Sequence, residues 1–205
     1  PLDAKLSHFS MHRYLETYQD IAKAGMNPLH HYLLYGAQEG RLTLAELRRS
    51  HYRGNCRYMP SRPTCLIVVH ECSRTGAPIV GLDLAREAAR SHNVVIAALR
   101  DGPLLESFRD HACDVVISSQ PLQDFPLYAG ESFGKIEFAI LNSAETYGFV
   151  PMLVAREIPF AAYVHEYADY SFPAYKSTFI ALFSDLLVFS SEHVRDNWAG
   201  RLKDI

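Results

Sequence analysis

The strongest constraint on the fold is a short apolar run that is followed at once by a polar turn and a helical pattern. Residues 65–69 are apolar throughout and rich in β-branched side chains, which is typical of a parallel strand covered on both faces. The polar segment 70–76 follows directly, and Ala77 and Pro78 then place proline where a helix begins. In a doubly wound sheet, such a turn lies at the carboxyl end of a strand, where ligands bind.

Strand and helix patterns alternate from this segment to the end of the chain. Apolar strand patterns cover 65–69, 94–99, 114–118, 137–142, 160–164 and 186–189. Helical patterns cover 77–91, 103–111, 147–157 and 174–184, with a last helix from about Glu192. A polar stretch with prolines, 119–135, interrupts the alternation and predicts a surface loop. The alternation is typical of βαβ crossovers and predicts an α/β fold with a Rossmann-like, doubly wound parallel sheet.

Residues 1–60 have a different, helical pattern. Apolar side chains recur there at helical spacing, and Asn27 and Pro28 mark the start of a second helix. The segment 54–63 contains glycine and proline in a composition typical of a linker. We therefore predict a small helical lead module with its linker, 1–60, followed by a Rossmann-like domain, 61–205.

Composition and charge exclude several classes of function. Apolar residues make up 48% of the chain, which indicates a folded domain, and the net charge of −3 argues against a nucleic-acid partner because phosphate backbones require a basic surface. The four cysteines show no C-x-x-C spacing, and Cys65 lies within a strand pattern, so we expect a reducing, cytoplasmic location. No apolar run approaches the roughly 20 residues of a membrane span. Because the chain begins with Pro1, we expect it to be a fragment.

Polar pairs follow three of the predicted strands directly. They are His70 and Glu71, Asn142 and Ser143, and His165 and Glu166. Because the carboxyl ends of parallel strands share one edge of a sheet, we expect these pairs to converge. His165 could then donate to a substrate hydroxyl or an anionic oxygen, with Glu166 or Asp169 fixing its tautomer. The alternative is that both histidines only cap strands and bind the backbone, and the sequence leaves both interpretations open.

The turn 70–76 does not match a standard phosphate-binding loop. Gly76 and Gly81 form G-x-x-x-x-G, but Leu82 and Asp83 replace the Lys-Ser/Thr pair of a P-loop, and G-x-G-x-x-G is absent. A kinase or an ordinary NAD enzyme is therefore disfavoured. Gly76 either lets a ligand approach the backbone or only permits a tight turn. No H-E-x-x-H motif is present, so we predict no metal site.

Four segments, in order, resemble the amino-terminal domains of bacterial family 4 (group 1) glycosyltransferases. The segment 70–78 is similar to that family's His-x-x-Ser-x-x-Gly-Ala-Pro loop, and 141–146 resembles its Asn-Ser/Thr loop. The segment 159–166 resembles its strand ending in His-Glu, and 188–194 resembles its Ser-Glu strand exit. The likeness covers most of 64–199. The lead module is similar to a small module found ahead of bacterial glycosyltransferase domains.

The resemblance implies the amino-terminal, acceptor-side half of a GT-B fold. A retaining glycosyltransferase of this family would move a sugar from a nucleotide sugar to a glycan, glycolipid or glycoprotein acceptor in polysaccharide biosynthesis, without a metal or other cofactor. This chain would be inactive alone because the donor-binding carboxyl-terminal domain is missing. A lipid-linked acceptor would bring it to the inner face of the membrane.

The site residues implied by the resemblance fall into two groups. His165 and Glu166 would be catalytic, with His165 contacting the transferred sugar. Donor and acceptor binding would involve Ser73, Arg74, Gly76, Ala77, Asn142 and Ser143. Gly76 would approach the donor diphosphate.

Two rival interpretations remain beside this one. The first is a non-catalytic carbohydrate- or protein-binding module that uses its helical lead as a docking element. The second is a Rossmann domain that binds a dinucleotide.

Overall fold

The computed structural model describes residues 9, 11, 14, 15, 18–39, 41, 51–118, 135–171 and 173–203. These residues belong to two compact units, 1–50 and 51–205. The domain boundary that the sequence suggests after residue 60 stays a prediction, and the segment 51–60 belongs to the second unit by its contacts.

The first unit consists of short helical segments with a small aromatic core. Helix α1 covers Gln19–Lys23, helix α2 covers Pro28–His31, and a π-helical turn covers Tyr32–Gly36. Asn27 caps α2 because its side-chain oxygen accepts a hydrogen bond from the backbone N–H of His30 at 3.0 Å. The buried core residues are Tyr14, Ile21 and Tyr32. The second predicted helix therefore begins where Asn27 and Pro28 indicate.

The second unit is built on a seven-stranded sheet. The strands are β1 (His51–Arg53), β2 (Thr64–Val69), β3 (Asn93–Ala98), β4 (Asp114–Ile117), β5 (Ile136–Asn142), β6 (Phe160–Val164) and β7 (Leu186–Phe189). Their order across the sheet is β1-β4-β3-β2-β5-β6-β7, and every neighbouring pair is parallel except β1 with β4. The predicted α/β, Rossmann-like, doubly wound sheet is confirmed. Each predicted strand lies within one residue of the observed bounds.

Helices alternate with these strands. They are α3 (Gly76–Ala88), α4 (Leu105–Arg109), α5 (Val150–Ala155), α6 (Tyr175–Phe183) and α7 (Glu192–Leu202), with 3-10 helices at Ala144–Phe149 and Ala168–Tyr170. The predicted helix 147–157 is in fact the first of these 3-10 helices followed by α5, and Pro151 lies in the first turn of α5, where its missing N–H is not needed. Most of the predicted loop, 119–134, lies outside the described residues. Among the described residues, no helix has the length and apolar character needed to cross a bilayer.

The central strands of the sheet are covered on both faces. All six residues of β2 are buried, and alternate side chains belong to opposite layers. Leu66 and Val68 belong to the cluster that contains Trp198, whereas Ile67 belongs to the cluster that contains Phe108. A strand covered on both sides has no polar face, which is why its sequence is an unbroken apolar run.

Strand β1 is held by an ion pair as well as by its hydrogen-bond ladder. The Nε2 of His51 contacts the carboxylate of Asp114 on β4, and Asp114 is buried. This hydrogen bond raises the pKa of His51 above its ordinary value. The stability that the pair contributes is therefore fully present below the unfolded pKa of about 6.5. It is lost as pH rises through the higher folded pKa.

We expect His51→Gln to lower the free energy of unfolding more at about pH 5.5 than at about pH 8.5, because the wild-type imidazolium exists mainly at the lower pH. Urea unfolding of the wild type and the variant at both pH values measures this difference. At each pH, the value for the variant is subtracted from the value for the wild type, which removes the contributions of the titrating groups that both proteins share. A loss of equal size at both pH values would contradict the ionic role of His51.

Candidate functional site

The chain changes direction across the sheet between β2 and β5. From β2 it runs to β3 and β4 on one side, and it then continues at β5 on the other side of β2. Such a topological switch leaves a crevice outside the carboxyl ends of the two strands, where open α/β sheets bind ligands. Strands β2, β5 and β6 are parallel neighbours, so the polar pairs that follow them share this edge. The edge is therefore the candidate site.

Asn142 is the central residue of this edge. It ends β5, and it is fully buried. Its Nδ2 donates a hydrogen bond to the backbone oxygen of Ala77 in α3 at 2.6 Å, and its Oδ1 lies 2.9 Å from Nε2 of His165. One side chain thus connects the first turn of α3 to the end of β6.

Glu166 anchors the turn that follows β6. Its Oε1 accepts a hydrogen bond from Oγ of Ser143 at 2.5 Å. Its Oε2 accepts hydrogen bonds from the backbone N–H groups of Ala144 and His165, each at 3.2 Å. Both carboxylate oxygens are therefore engaged. The expectation that Glu166 or Asp169 fixes the His165 ring is wrong, because Asn142 is the residue bonded to that ring and Asp169 accepts from Asn197 instead.

Ser143 has a strained backbone. Its φ of 133° is in a region that side-chain-bearing residues rarely adopt. Its Oγ also accepts a hydrogen bond from the backbone N–H of Glu145 at 3.1 Å, so the side chain binds partners on both sides of the turn. Strain of this kind costs about 1–3 kcal/mol and is concentrated at functional sites.

The pKa of His165 is lowered from its ordinary value. Burial is the main cause, and the nearby His70 lowers it further, whereas Glu166 acts in the opposite direction. The ring is therefore neutral near pH 7. It also lies against the ring of Tyr163, with 4.4 Å between the two centroids. A neutral imidazole in a partly buried site can accept a proton from a bound molecule.

His70 has a buried ring nitrogen with no partner. Its Nε2 lies 3.6 Å from Oε1 of Glu71, and its Nδ1 is buried without a hydrogen bond to any described residue. Leaving such an atom unsatisfied costs about 1–3 kcal/mol, so a ligand or water that bonds to it would be favoured. Glu71 is held in turn by Ser73 and by Arg100, and these contacts, the Ser73 hydrogen bond first, lower the pKa of its carboxyl.

The first turn of α3 has unused backbone donors. Thr75, which precedes the helix, makes no side-chain cap, and the first turn contains no acidic residue. The N–H groups of Gly76 and Ala77 find no acceptor among the described residues. A Cβ placed on Gly76 would meet nothing within 4 Å, so the space in front of the helix is open. Arg74 is exposed beside it.

The structure groups the predicted site residues unequally. Four residues and the carbonyl of Ala77 form a connected network, in which His165 takes part through its ring and its backbone N–H. The four residues are Asn142, Ser143, His165 and Glu166. Ser73 instead bonds within its own turn, to Glu71 at 2.6 Å and to Thr75 at 2.8 Å. Arg74 and Gly76 are exposed at the same edge.

Sequence reasoning missed two residues of this edge. Arg100 lies just beyond β3 and pairs with Glu71 at 3.3 Å, and the rule that polar residues at strand ends converge could have identified it. Gly81 lies on the face of α3 that contacts Asn142, and no sequence signal separates it from a glycine that is merely tolerated in a helix.

A cavity of about 260 Å³ lies elsewhere, beside the amino-terminal end of β6. It is lined by Leu153, Val154, Glu157, Ile158, Pro159, Phe160, Phe183 and Asp185. The polar side chains of the candidate site are absent from this lining. Because open parallel sheets bind ligands at the carboxyl ends of their strands, we place the candidate site at the opposite edge.

Comparisons with known proteins give little further information. No protein-family model matches the chain, and no curated protein matches it. Among solved structures, the chain is similar to a phenylacrylic acid decarboxylase from Aquifex aeolicus, with 12% sequence identity and a TM-score of 0.42. The similarity covers 70% of this chain and 96% of that one. A likeness of this size assigns no activity to the chain.

The glycosyltransferase prediction is wrong. A solved structure to which the chain is similar is a phenylacrylic acid decarboxylase and not a glycosyltransferase, and no family model matches the chain. The alternative of a carbohydrate- or protein-binding module has no support either. The physical reason is that polar residues at the carboxyl ends of parallel strands are common to many doubly wound folds. Four short segments in order are therefore compatible with many functions, and they do not identify the reaction.

Several expectations depended on that family. A nucleotide-sugar donor, a glycan or lipid-linked acceptor, a missing carboxyl-terminal domain and the absence of a cofactor stay predictions. The site residues themselves also stay predictions, and their geometry supports a function that needs no membership of that family.

Proposed function

We propose that the second unit binds a small molecule bearing a phosphate or a similar anion at the carboxyl edge of its sheet, and that His165 exchanges a proton with this molecule. One observation carries the proposal: the uncapped first turn of α3 and a neutral histidine are joined through a single buried side chain, Asn142. Anion-binding donors and a proton acceptor thus belong to one connected edge.

The anion would bind at the start of α3. The free N–H groups of Gly76 and Ala77 and the positive end of the helix dipole favour negative charge there. The open space beside Gly76 gives an oxygen atom access to the backbone. Arg74 adds a cation that is not held by a described carboxylate. The unpartnered Nδ1 of His70 supplies a further hydrogen-bonding group at the same edge.

The proton transfer would involve His165. Burial and the neighbouring His70 keep this ring neutral near pH 7, which is the state that a general base requires. Its position at the end of β6 adjoins the switch point, where a ligand held by α3 would extend. Glu166, which is itself bonded to Ser143, accepts a hydrogen bond from the backbone N–H of His165 and so holds the backbone of the turn that carries the ring.

We also propose a cytoplasmic location. All four cysteines are free thiols, and Cys65, Cys72 and Cys113 are buried. Burial raises the pKa of Cys65 and of Cys72 to about 12, so these thiols stay protonated and unreactive. Buried free thiols are typical of proteins in a reducing compartment. Association with the inner face of the membrane stays a prediction.

A carboxylate at the start of α3 tests the proposal. We expect Gly76→Asp to weaken the binding of inorganic pyrophosphate by about tenfold or more, which corresponds to about 1.4 kcal/mol, because the new charge repels an anion at the helix start. The same carboxylate interacts favourably with the helix dipole, by about 0.3–1 kcal/mol, so the free energy of unfolding should not fall. NMR titration of the Gly76 and Ala77 amides measures binding, and urea unfolding measures stability.

Gly76→Asn is the matched control for this experiment. It has nearly the same shape without the charge, and nothing within 4 Å opposes a side chain at this position. It should keep pyrophosphate affinity within about threefold of the wild type, which is a difference in binding free energy well under about 1.4 kcal/mol. Wild-type amide signals that do not move with pyrophosphate, or equal affinity in the Asp variant, would refute anion binding at α3.

A further inference from the structure

We propose that Asn142 is a positioning residue that fixes His165 as the tautomer with its proton on Nε2, so that the ligand group facing His165 must be a hydrogen-bond donor such as a hydroxyl. The contacts of Asn142 determine which nitrogen of the neutral ring carries the proton. The conclusion about the ligand rests on the proposed function, and it narrows the ligand to a hydroxyl-bearing phosphate ester.

The contacts of Asn142 determine the orientation of its amide. The backbone oxygen of Ala77 can only accept a hydrogen bond, and it lies 2.6 Å from one end of the amide. That end is therefore the NH₂ group, and the carbonyl Oδ1 faces His165. Reversing the amide would place oxygen against oxygen at a fully buried side chain. The hydrogen-bond partners of Asn142 thus determine the orientation of its amide.

The orientation of the Asn142 amide determines which nitrogen of the imidazole carries the proton. An amide oxygen can only accept, and it lies 2.9 Å from Nε2 of His165. Nε2 must therefore carry a hydrogen. Since the ring is neutral, the other nitrogen, Nδ1, carries a lone pair. Nδ1 has no hydrogen bond to a described residue and is not among the fully buried polar atoms without a partner, so its lone pair is not completely covered.

The position of this lone pair determines which group of the ligand His165 binds. A lone pair on Nδ1 repels a phosphate oxygen and attracts an O–H group. The start of α3 would therefore bind the phosphate of the ligand, and His165 would bind its hydroxyl. On proton transfer, the O–H bond of the ligand breaks, its electron pair stays on oxygen, and a new N–H bond forms at Nδ1. The resulting imidazolium keeps its Nε2–H bond to Asn142. Asn142 thereby orients the acceptor without touching the ligand.

The tautomer can be measured in the ligand-free protein. Two-bond ¹H–¹⁵N correlation spectra of ¹⁵N-labelled protein distinguish a protonated ring nitrogen from one with a lone pair. We expect the protonated signature at Nε2 of His165 and the lone-pair signature at Nδ1. A proton on Nδ1, or an even mixture of tautomers, in the wild type would overturn the proposal without bearing on whether pyrophosphate binds.

Two substitutions separate positioning from structure. Asn142→Leu removes the acceptor, and we expect His165 to become a mixture of tautomers. Asn142→Asp keeps an acceptor and adds a charge, and we expect it to keep the proton on Nε2 and to raise the pKa of His165 by about one to two pH units. Its second oxygen faces the backbone oxygen of Ala77, so we also expect a lower free energy of unfolding. Asn197→Leu is the matched control, because Asn197 also makes two hydrogen bonds, to Ala168 and Asp169, in the adjoining turn. It should leave the His165 signals unchanged.

The ligand requirement has its own test. Glycerol 3-phosphate carries hydroxyl groups, and propyl phosphate is a comparable ester without them. We expect glycerol 3-phosphate to bind at least about fivefold more tightly and to shift Nδ1 of His165, since one added hydrogen bond contributes about 1 kcal/mol. Equal affinities would refute the donor requirement, whereas absence of binding by both esters and by pyrophosphate would refute the proposed function itself.

Discussion

Replacing Trp198 with alanine should lower the free energy of unfolding of the second unit by about 3–5 kcal/mol. Trp198 is fully buried in α7, and its ring centroid lies 6.0 Å from that of Phe189 on β7. Its Nε1 donates a hydrogen bond to the backbone oxygen of Glu166 at 2.8 Å. The substitution therefore opens a cavity beneath the sheet and also releases the turn that carries the candidate site.

Trp198→Phe divides this loss into its two parts. It keeps an aromatic ring but leaves the Glu166 oxygen without its donor, so a loss of about 1–3 kcal/mol is expected. Trp198 is the one tryptophan of the chain, so unfolding must be followed by far-ultraviolet circular dichroism and not by fluorescence. Tyr170→Ala, at a side chain that is 79% exposed, should change stability by less than about 0.5 kcal/mol. A loss below about 1 kcal/mol for Trp198→Ala would contradict the role of Trp198 as a core residue.

The central strands were predictable because they are buried. A parallel strand with helices on both faces has mainly apolar side chains, and 64–69 and 93–98 are buried at every position. Burial imposes this composition whatever the function. Fold class therefore followed from local sequence.

Strand β1 could not be predicted in the same way. Its three residues, His51 to Arg53, are polar or half-exposed, and its burial pattern is that of a sheet edge. It pairs antiparallel with β4, and the ion pair between His51 and Asp114 spans 63 residues of sequence. No local pattern encodes a partner at that distance.

The candidate site was predictable in location but not in its contacts. Strand-end reasoning identified the edge that carries His70, Asn142 and His165, because parallel strands deliver their ends together. It assigned the His165 ring to Glu166 or Asp169, whereas Asn142 is bonded to it. Which polar neighbour bonds to the ring depends on side-chain directions that the sequence does not specify. The reaction could not be predicted from the sequence, because one fold supports many chemistries.

Gly81→Ala should destabilise the second unit by about 1–3 kcal/mol, although the same change in an open helix is favourable. A Cβ on Gly81 would lie 2.5 Å from Cγ1 of Val69 and 2.9 Å from Nδ2 of Asn142. These distances are shorter than van der Waals contact, so α3 must move away from β2 or Asn142 must rotate. Either response disturbs the hydrogen bonds from Asn142 to Ala77 and His165.

Gly200→Ala supplies the matched control, because a Cβ on Gly200 in α7 would meet nothing within 4 Å. Alanine there should raise the free energy of unfolding by about 0.5–1 kcal/mol, through helix propensity alone. The two variants thus make the same chemical change with opposite expected signs. Urea unfolding measures both, and the ring ¹⁵N signals of His165 should shift in the Gly81 variant and stay unchanged in the Gly200 variant. A Gly81 variant as stable as the wild type, with unshifted His165 signals, would mean that α3 is not tightly packed on Asn142 and that the helix does not help to orient the site.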